Sequence, residues 1–184
     1  MKENQRVRLT KKLLQDSLVK LLASKSIHKI SVREICDNAE INRTTFYKYY
    51  ISQYDLLKEM EEQVLSQIDG FLSADRDRPD YDMQIISQIA TYLQDNVALC
   101  KLLINNTVNS EFMERLFRLP MIRRLLDEQL GKDNEAELEY AYQFVVNGGF
   151  SIIKTWINKA ERESPDRIAA ILVDMVYKAG VSPK

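Results

Sequence analysis

The ten residues from Ile41 to Tyr50, Ile-Asn-Arg-Thr-Thr-Phe-Tyr-Lys-Tyr-Tyr, bring two cations, four aromatic rings and several hydroxyls into one short segment. Arg and Lys can neutralise phosphates, while Asn, Thr and Tyr can hydrogen-bond to phosphate oxygens or base edges, so this chemistry suits a nucleic acid. Asn42 is a good N-cap for a short helix. Phe46 and Tyr50, at i and i+4, then form its inner face and leave Arg43, Thr44, Tyr47 and Lys48 on the outer one. Just upstream, Ser31-Val32-Arg33-Glu34 is an S-x-x-E capping box, which predicts a preceding helix with Ile35 and Ala39 turned inward. Two short helices joined by a tight turn make the helix-turn-helix pattern, whose second helix enters the major groove. A tyrosine-rich amphipathic helix that merely packs is the alternative. The capping box, the Asn cap and the spacing between the two helices favour the nucleic-acid reading.

Ile30 to Leu57 closely resembles the N-terminal DNA-binding module of TetR-family transcriptional regulators. The resemblance lies in the aliphatic helix start, Ile35 and Ala39, the Thr45-Phe46-Tyr47 element, and Leu56-Leu57 opening a long connecting helix. Two positions depart from the family pattern. Glu40 stands where most members have Gly in the turn, so a left-handed backbone there costs more. Gln53 stands where many have a Lys that contacts phosphate. The resemblance implies a homodimer on a pseudo-palindromic double-stranded operator, with half-sites roughly 34–36 Å apart. It also implies control by a small apolar or amphipathic effector, which would make the chain a ligand-responsive repressor. An activator of the same family would use the same head. In the implied site Arg43, Thr44 and Thr45 meet base edges and nearby backbone, Tyr47 and Lys48 meet phosphates, and Asn42 caps the recognition helix. Ser31 presents the preceding helix's N-terminus to a phosphate.

Charge divides the chain. Residues 1–50 carry 11 Lys and Arg against 5 Asp and Glu, and the remaining residues carry 15 against 22. A basic end that attracts phosphate and an acidic remainder with a different task follow from this. Lys2, Arg6, Arg8, Lys11 and Lys12 read equally as a solvated tail or as phosphate-reaching groups. Cys36 and Cys100 are the only cysteines and have no C-x-x-C spacing, so no zinc site or disulfide framework is indicated and a reduced cytoplasmic setting is expected. No apolar stretch approaches the length needed to span a bilayer, and no membrane partner is expected.

With 5 Gly, 4 Pro and no sustained alternation of β-branched residues, the chain reads as all-α with about nine or ten helices. A three-helix DNA-binding domain over residues 6–52 precedes a C-terminal dimerisation and effector-binding bundle over 53–184. The first helix is expected at Leu9 to Ser24 and the fourth from Ser52 through Asp69, followed by a polar linker from Ser73 to Asp82. Further helices are expected at Met83 to Gln94, Val97 to Asn105, Ser110 to Phe117 and Met121 to Leu130. Asn134 to Lys159 carries two adjacent apolar stripes, and the last helix, capped by Ser164 with Pro165 at its first position, is also widely apolar. A second subunit is the natural cover, with Val145, Gly148, Gly149, Ile152, Trp156, Leu172 and Met175 at the seam. Tyr92, Phe112, Met113, Phe117, Tyr140 and Phe144 are expected around an apolar effector cavity, although such residues at helical spacing also simply fill cores.

No nucleotide-binding or zinc-protease motif is present, and His28, the sole histidine, has no nucleophile or carboxylate constellation in sequence. An enzyme is not expected, nor is any cofactor or metal. A helical protein-interaction module is the other alternative. It would expose apolar anchors at i, i+3, i+4 and i+7, whereas the Asn42–Lys48 face is polar and cationic.

Overall fold

A computed structural model describes residues 5–72, 81–105 and 135–178. Among them are α1 (Gln5–Leu22), a 3-10 turn (Ile27–Lys29), α2 (Val32–Ala39), α3 (Arg43–Phe46) and α4 (Gln53–Leu72). These are followed by α5 (Tyr81–Asp95), α6 (Val97–Asn105), α7 (Glu135–Asn158) and α8 (Pro165–Lys178). The fold is all-α, with no strand among the described residues. The expected helices at Ser110–Phe117 and Met121–Leu130, and most of the Ser73–Asp82 linker, lie outside the described residues.

The chain divides into two compact units, Met1–Val64 and Leu65–Lys184. The division falls inside α4, whose Leu56, Leu57, Met60 and Val64, on the first unit's side of it, are buried. In that unit α1 contributes Leu14, Leu18 and Leu22, and α2 contributes Ile35, Cys36 and Ala39, all buried. Ser17 is buried as well, and its hydroxyl donates to the Ile35 carbonyl at 2.8 Å. That bond satisfies a desolvated group and fixes the rotation of α2 on α1.

α2 ends in a left-handed residue. Ile41 N–H donates back to the Cys36 carbonyl at 3.0 Å, a six-to-one closure of the kind glycine favours at helix ends. Here the residue is Glu40, at φ 55° and ψ 35°. The departure from the glycine pattern therefore falls where the backbone needs a positive φ.

The second unit buries Ala90, Leu93, Cys100, Ile104, Ile153, Trp156, Ile157 and Ile168 in one cluster, with Ile152, Leu172 and Phe150 packed against it. Burial pushes the Cys100 thiol up to about 12, so it stays protonated. The Ser164 hydroxyl accepts from Arg167 N–H at 3.3 Å, capping α8 ahead of Pro165. The Ser87 hydroxyl donates to Asp166, tying α5 to the first turn of α8.

Burial sorts the residues expected at the seam and around the cavity. Trp156 is only 1% exposed, and its indole N–H donates to the Glu163 carbonyl at 2.9 Å, so it anchors the core of the second unit. Val145 is likewise buried, and Ile152 and Leu172 pack on the same cluster. The reason is angular. At the helical repeat, Val145, Ile152 and Trp156 lie together on one side of α7, while Tyr140, Phe144, Gly148, Ser151 and Thr155 span roughly a quarter of the circumference on another. Tyr140 is 77% and Phe144 67% exposed. Of the other expected cavity residues, Phe112, Met113 and Phe117 lie outside the described residues. Tyr92 is half-buried, with its ring edge-on to Phe71 at 6.0 Å.

Because Glu40 carries a Cβ in a left-handed conformation, Glu40→Gly should raise the stability of the first unit by about 0.5–1 kcal/mol, less than the full conformational relief because glycine also loosens the unfolded chain. Thermal unfolding followed by circular dichroism checks this; a lower melting temperature for the variant would contradict it.

Candidate nucleic-acid interface

The interface starts from the capping of two short helices. At α2, Glu34 N–H donates to the Ser31 hydroxyl at 3.2 Å, while the Ser31 N–H and hydroxyl both donate to Glu34 Oε2, at 3.0 and 2.9 Å. Lys25 closes the arrangement by pairing with the other carboxylate oxygen. The Lys25 hydrogen bond first, and then the Ser31 backbone and hydroxyl, hold the Glu34 carboxyl down at about 2. An ionised carboxylate thus occupies the N-terminus of α2. Ser31 has already committed both its protons, so a phosphate at this helix end would have to displace Glu34. That weakens the expectation that Ser31 presents the helix to DNA.

At α3, Asn42 Oδ1 accepts from Thr44 N–H at 2.8 Å, the cap expected from the sequence. The regular helix is only four residues long. The chain nevertheless keeps turning through Tyr50: Tyr47 N–H donates to the Arg43 carbonyl at 3.0 Å, Tyr49 N–H to Phe46 at 2.9 Å, and Tyr50 N–H to Phe46 at 3.0 Å. The mixture of three- and four-residue closures is a tightened final turn.

The inner face is aromatic. Phe46 is fully buried, Tyr50 is nearly so, and their ring centroids lie 5.4 Å apart. Tyr50 Oη donates to Glu59 Oε1 at 3.2 Å, and Glu59 also pairs with Lys11 at 3.1 Å, whose ammonium lies 5.7 Å from the Tyr50 ring centroid. Lys11 is therefore engaged within the unit. Arg6, Arg8 and Lys12 stand exposed on α1, and Lys2 is outside the described residues.

The outer face brings the remaining expected residues together. Asn42, Arg43, Thr44, Tyr47 and Lys48 are exposed, and Thr45 is half-exposed. Tyr47, though 59% exposed, meets the Phe46 ring edge-on at 5.6 Å, which steadies its ring. Arg43 and Lys48 make no ion pair among the described residues, so their donors are available. The Lys11–Glu59–Tyr50 and Ser17–Ile35 contacts were not expected from sequence. Their partners are 48, 9 and 18 positions apart, beyond the reach of helical periodicity.

A capped two-helix unit with a polar, cationic second helix, braced by α1 and α4 on an all-α scaffold, defines a helix-turn-helix DNA-binding regulator. Comparison with known proteins agrees. Residues 15–60 match the model for bacterial regulatory proteins of the tetR family, and residues 83–178 match a transcriptional regulator C-terminal region of the same family. The chain belongs to the TetR family of transcriptional regulators. Its fold is similar to that of a TetR transcriptional regulator from Streptococcus agalactiae 2603V, with TM-score 0.68 and 21% identity, covering 94% of this chain and 96% of that one. The uncharacterised HTH-type regulator YxbF of Bacillus subtilis (strain 168) is 18% identical over 168 residues, 89% of this chain and 43% of its own length. The dhaKLM operon transcriptional activator DhaS of Lactococcus lactis subsp. lactis (strain IL1403) is 33% identical over 60 residues, 33% of this chain and 32% of its own length. The chain thus spans less than half the length of these two curated relatives. No helix among the described residues is long and apolar enough to cross a membrane.

Glu34 gives the interface a pH signature. Its depressed value means that its ionised form contributes stability fully above its usual 4.5, a contribution lost as pH falls toward about 2. Glu34→Gln should therefore lower the melting temperature of the first unit at pH 7 and converge with the wild type near pH 2–3. A difference independent of pH would contradict the assignment.

Proposed function

We propose that this regulator works as a homodimer on a pseudo-palindromic operator, reading bases with Arg43, Thr44 and Thr45 and holding phosphates with Tyr47 and Lys48. The observation that carries the reading is the exposed, unpaired Arg43 and Lys48 on a helix whose opposite side is fixed by the buried Phe46. Buried aromatics set the angle of the helix, and the free donors do the reading. Asn42 spends its acceptor on the cap and contributes mainly by fixing where the helix begins.

The dimer surface we propose is the outward stripe of α7, Tyr140, Phe144 and Gly148, joined by Met175 of α8, which is 51% exposed. Nothing lies within 4 Å of where a Cβ on Gly148 would be, so a partner helix could approach closely there. Gly149 falls on the inward side of α7 by the same helical repeat.

The expected effector remains apolar or amphipathic, with Tyr92 as the half-buried described residue of its site. A cytoplasmic setting accords with two reduced, buried cysteines. Repression is the primary reading. Activation is the second, favoured by the similarity to DhaS, named as an activator. Both use the same head and differ in where the operator lies relative to the promoter, so a reporter carrying the protein's own selected site on either side of a promoter separates them.

Lys48→Ala should weaken binding to specific and scrambled duplexes alike and reduce the salt slope by about 1, while Arg43→Ala should cost roughly 1–3 kcal/mol and relax specificity at one position. Fluorescence anisotropy across several salt concentrations measures both; unchanged binding in both variants would remove this face from the mechanism. Phe144→Glu should yield a folded monomer by sedimentation, because a charge would be desolvated in the seam. A Phe144→Glu dimer as tight as the wild type would move the interface elsewhere.

A further inference from the structure

One polar contact of the first unit serves neither a cap nor the core. His28 lies in the 3-10 turn Ile27–Lys29, and its Nδ1 is 2.8 Å from the hydroxyl oxygen of Tyr54, in the first turn of α4. Their ring centroids are 5.8 Å apart at a tilt of 51°. Both side chains remain exposed, and an exposed hydrogen bond of this kind adds little to stability. Its position is more informative. Tyr54 follows α3 by a short connection along which Tyr47, Lys48 and Ile51 are exposed too, so the contact brings His28 and the exposed Lys29 to the segment that leads out of α3. A helix seated in a major groove about 12 Å wide has a phosphate chain on each side.

Resting on the DNA-binding reading, we propose that His28 is a protonation-dependent phosphate contact, with Tyr54 as the residue that positions its ring. Histidine is the side chain whose charge ordinarily changes between pH 5 and 8. The Tyr54 hydroxyl can donate to a neutral Nδ1 or accept from a protonated one, so the contact survives the change of charge. In the imidazolium form Nε2–H is left to donate outward to a phosphate oxygen with a full positive charge behind it. The phosphate favours that form, so DNA binding takes up a proton and tightens as pH falls.

The surrounding charges leave His28 open to an external anion. On α4, Tyr54 is the titratable group that touches the ring. Asp55 beside it accepts from Ile51 N–H at 3.0 Å, and Lys58, one turn further, is exposed. On α2, Glu34 is held by Ser31 and Lys25. On its own turn the neighbour is Lys29. No carboxylate pairs with His28 among the described residues.

The test uses the full-length protein and a duplex it selects from a random-sequence pool, with affinity and salt slope measured at pH 6 and pH 8. The wild type should bind about two- to fivefold more tightly at pH 6 beyond any change shared with His28→Asn, which keeps a polar partner for Tyr54 without the charge. The salt slope of His28→Asn should be smaller than that of the wild type by about 1 at pH 6 and equal to it at pH 8. His28→Arg should bind at pH 8 as the wild type does at pH 6. Tyr54→Phe should retain a pH dependence but with weaker binding at pH 6, whereas wild-type behaviour in Tyr54→Phe overturns the positioning role. A wild type that binds DNA with the same pH profile and salt slopes as His28→Asn overturns the phosphate contact and leaves the DNA reading standing. A wild type that selects no duplex at either pH overturns the DNA reading itself.

Discussion

The burial of Phe46 is the constraint on which the DNA-binding unit depends. A regular helix of four residues has no independent stability, since nucleation costs more than one turn of hydrogen bonds returns. The recognition segment is therefore helical because its inner side is held. Phe46 is fully buried, Tyr50 follows it inward, and the Asn42 cap fixes the first turn. Rotating the segment by one residue would turn Phe46 toward solvent and bring Thr45 or Tyr47 inward in its place, giving up a fully buried apolar ring for a side chain with a hydroxyl. The outward direction of Arg43 and Lys48 is thus a consequence of where an aromatic ring had to go.

Polar contacts at long sequence separation complete this arrangement. Lys11 from α1 and Glu59 from α4 meet at the Tyr50 hydroxyl, so the last turn of the recognition segment is held from two helices at once. Gln15 and Gln63 repeat the α1–α4 link one turn further on, at 3.2 Å. These groups are partly exposed, so each bond contributes modestly, but together they oppose sliding of α4 along α1. Ser17, by contrast, is buried, and losing its bond would leave its own hydroxyl short of a partner in an apolar setting.

What could be read in the sequence was local. The Ser31–Glu34 box, the Asn42 cap and the Ser164–Pro165 start all act within three residues, and each is present in the structure. The positive φ at Glu40 matched a departure already visible as the missing turn glycine. The direction of Trp156 was not legible, because α7 is apolar on adjacent stripes and periodicity alone cannot say which stripe meets α5, α6 and α8. Packing decided it: the largest side chain took the closed core, where its indole N–H reaches the Glu163 carbonyl, and the Tyr140–Phe144 stripe was left outside. The same limit hid His28–Tyr54, whose partners lie 26 positions apart on different elements.

The basic excess of the first 50 residues also changes meaning once the pairings are known. Lys11 is bound to Glu59 and Lys25 to Glu34, so part of the counted charge is neutralised within the unit. Arg33 meets Asp37 at 3.5 Å, but both are widely exposed, and such a pair is weak and screened by salt. The charges left for a phosphate chain are those without a carboxylate partner, Arg43 and Lys48 on the recognition segment among them. Net charge acts at long range, whereas in the proposed DNA complex these unpaired donors would set where the unit comes to rest. The capping carboxylate of Glu34 sharpens that choice, because it fills the helix end that would otherwise compete for the anion.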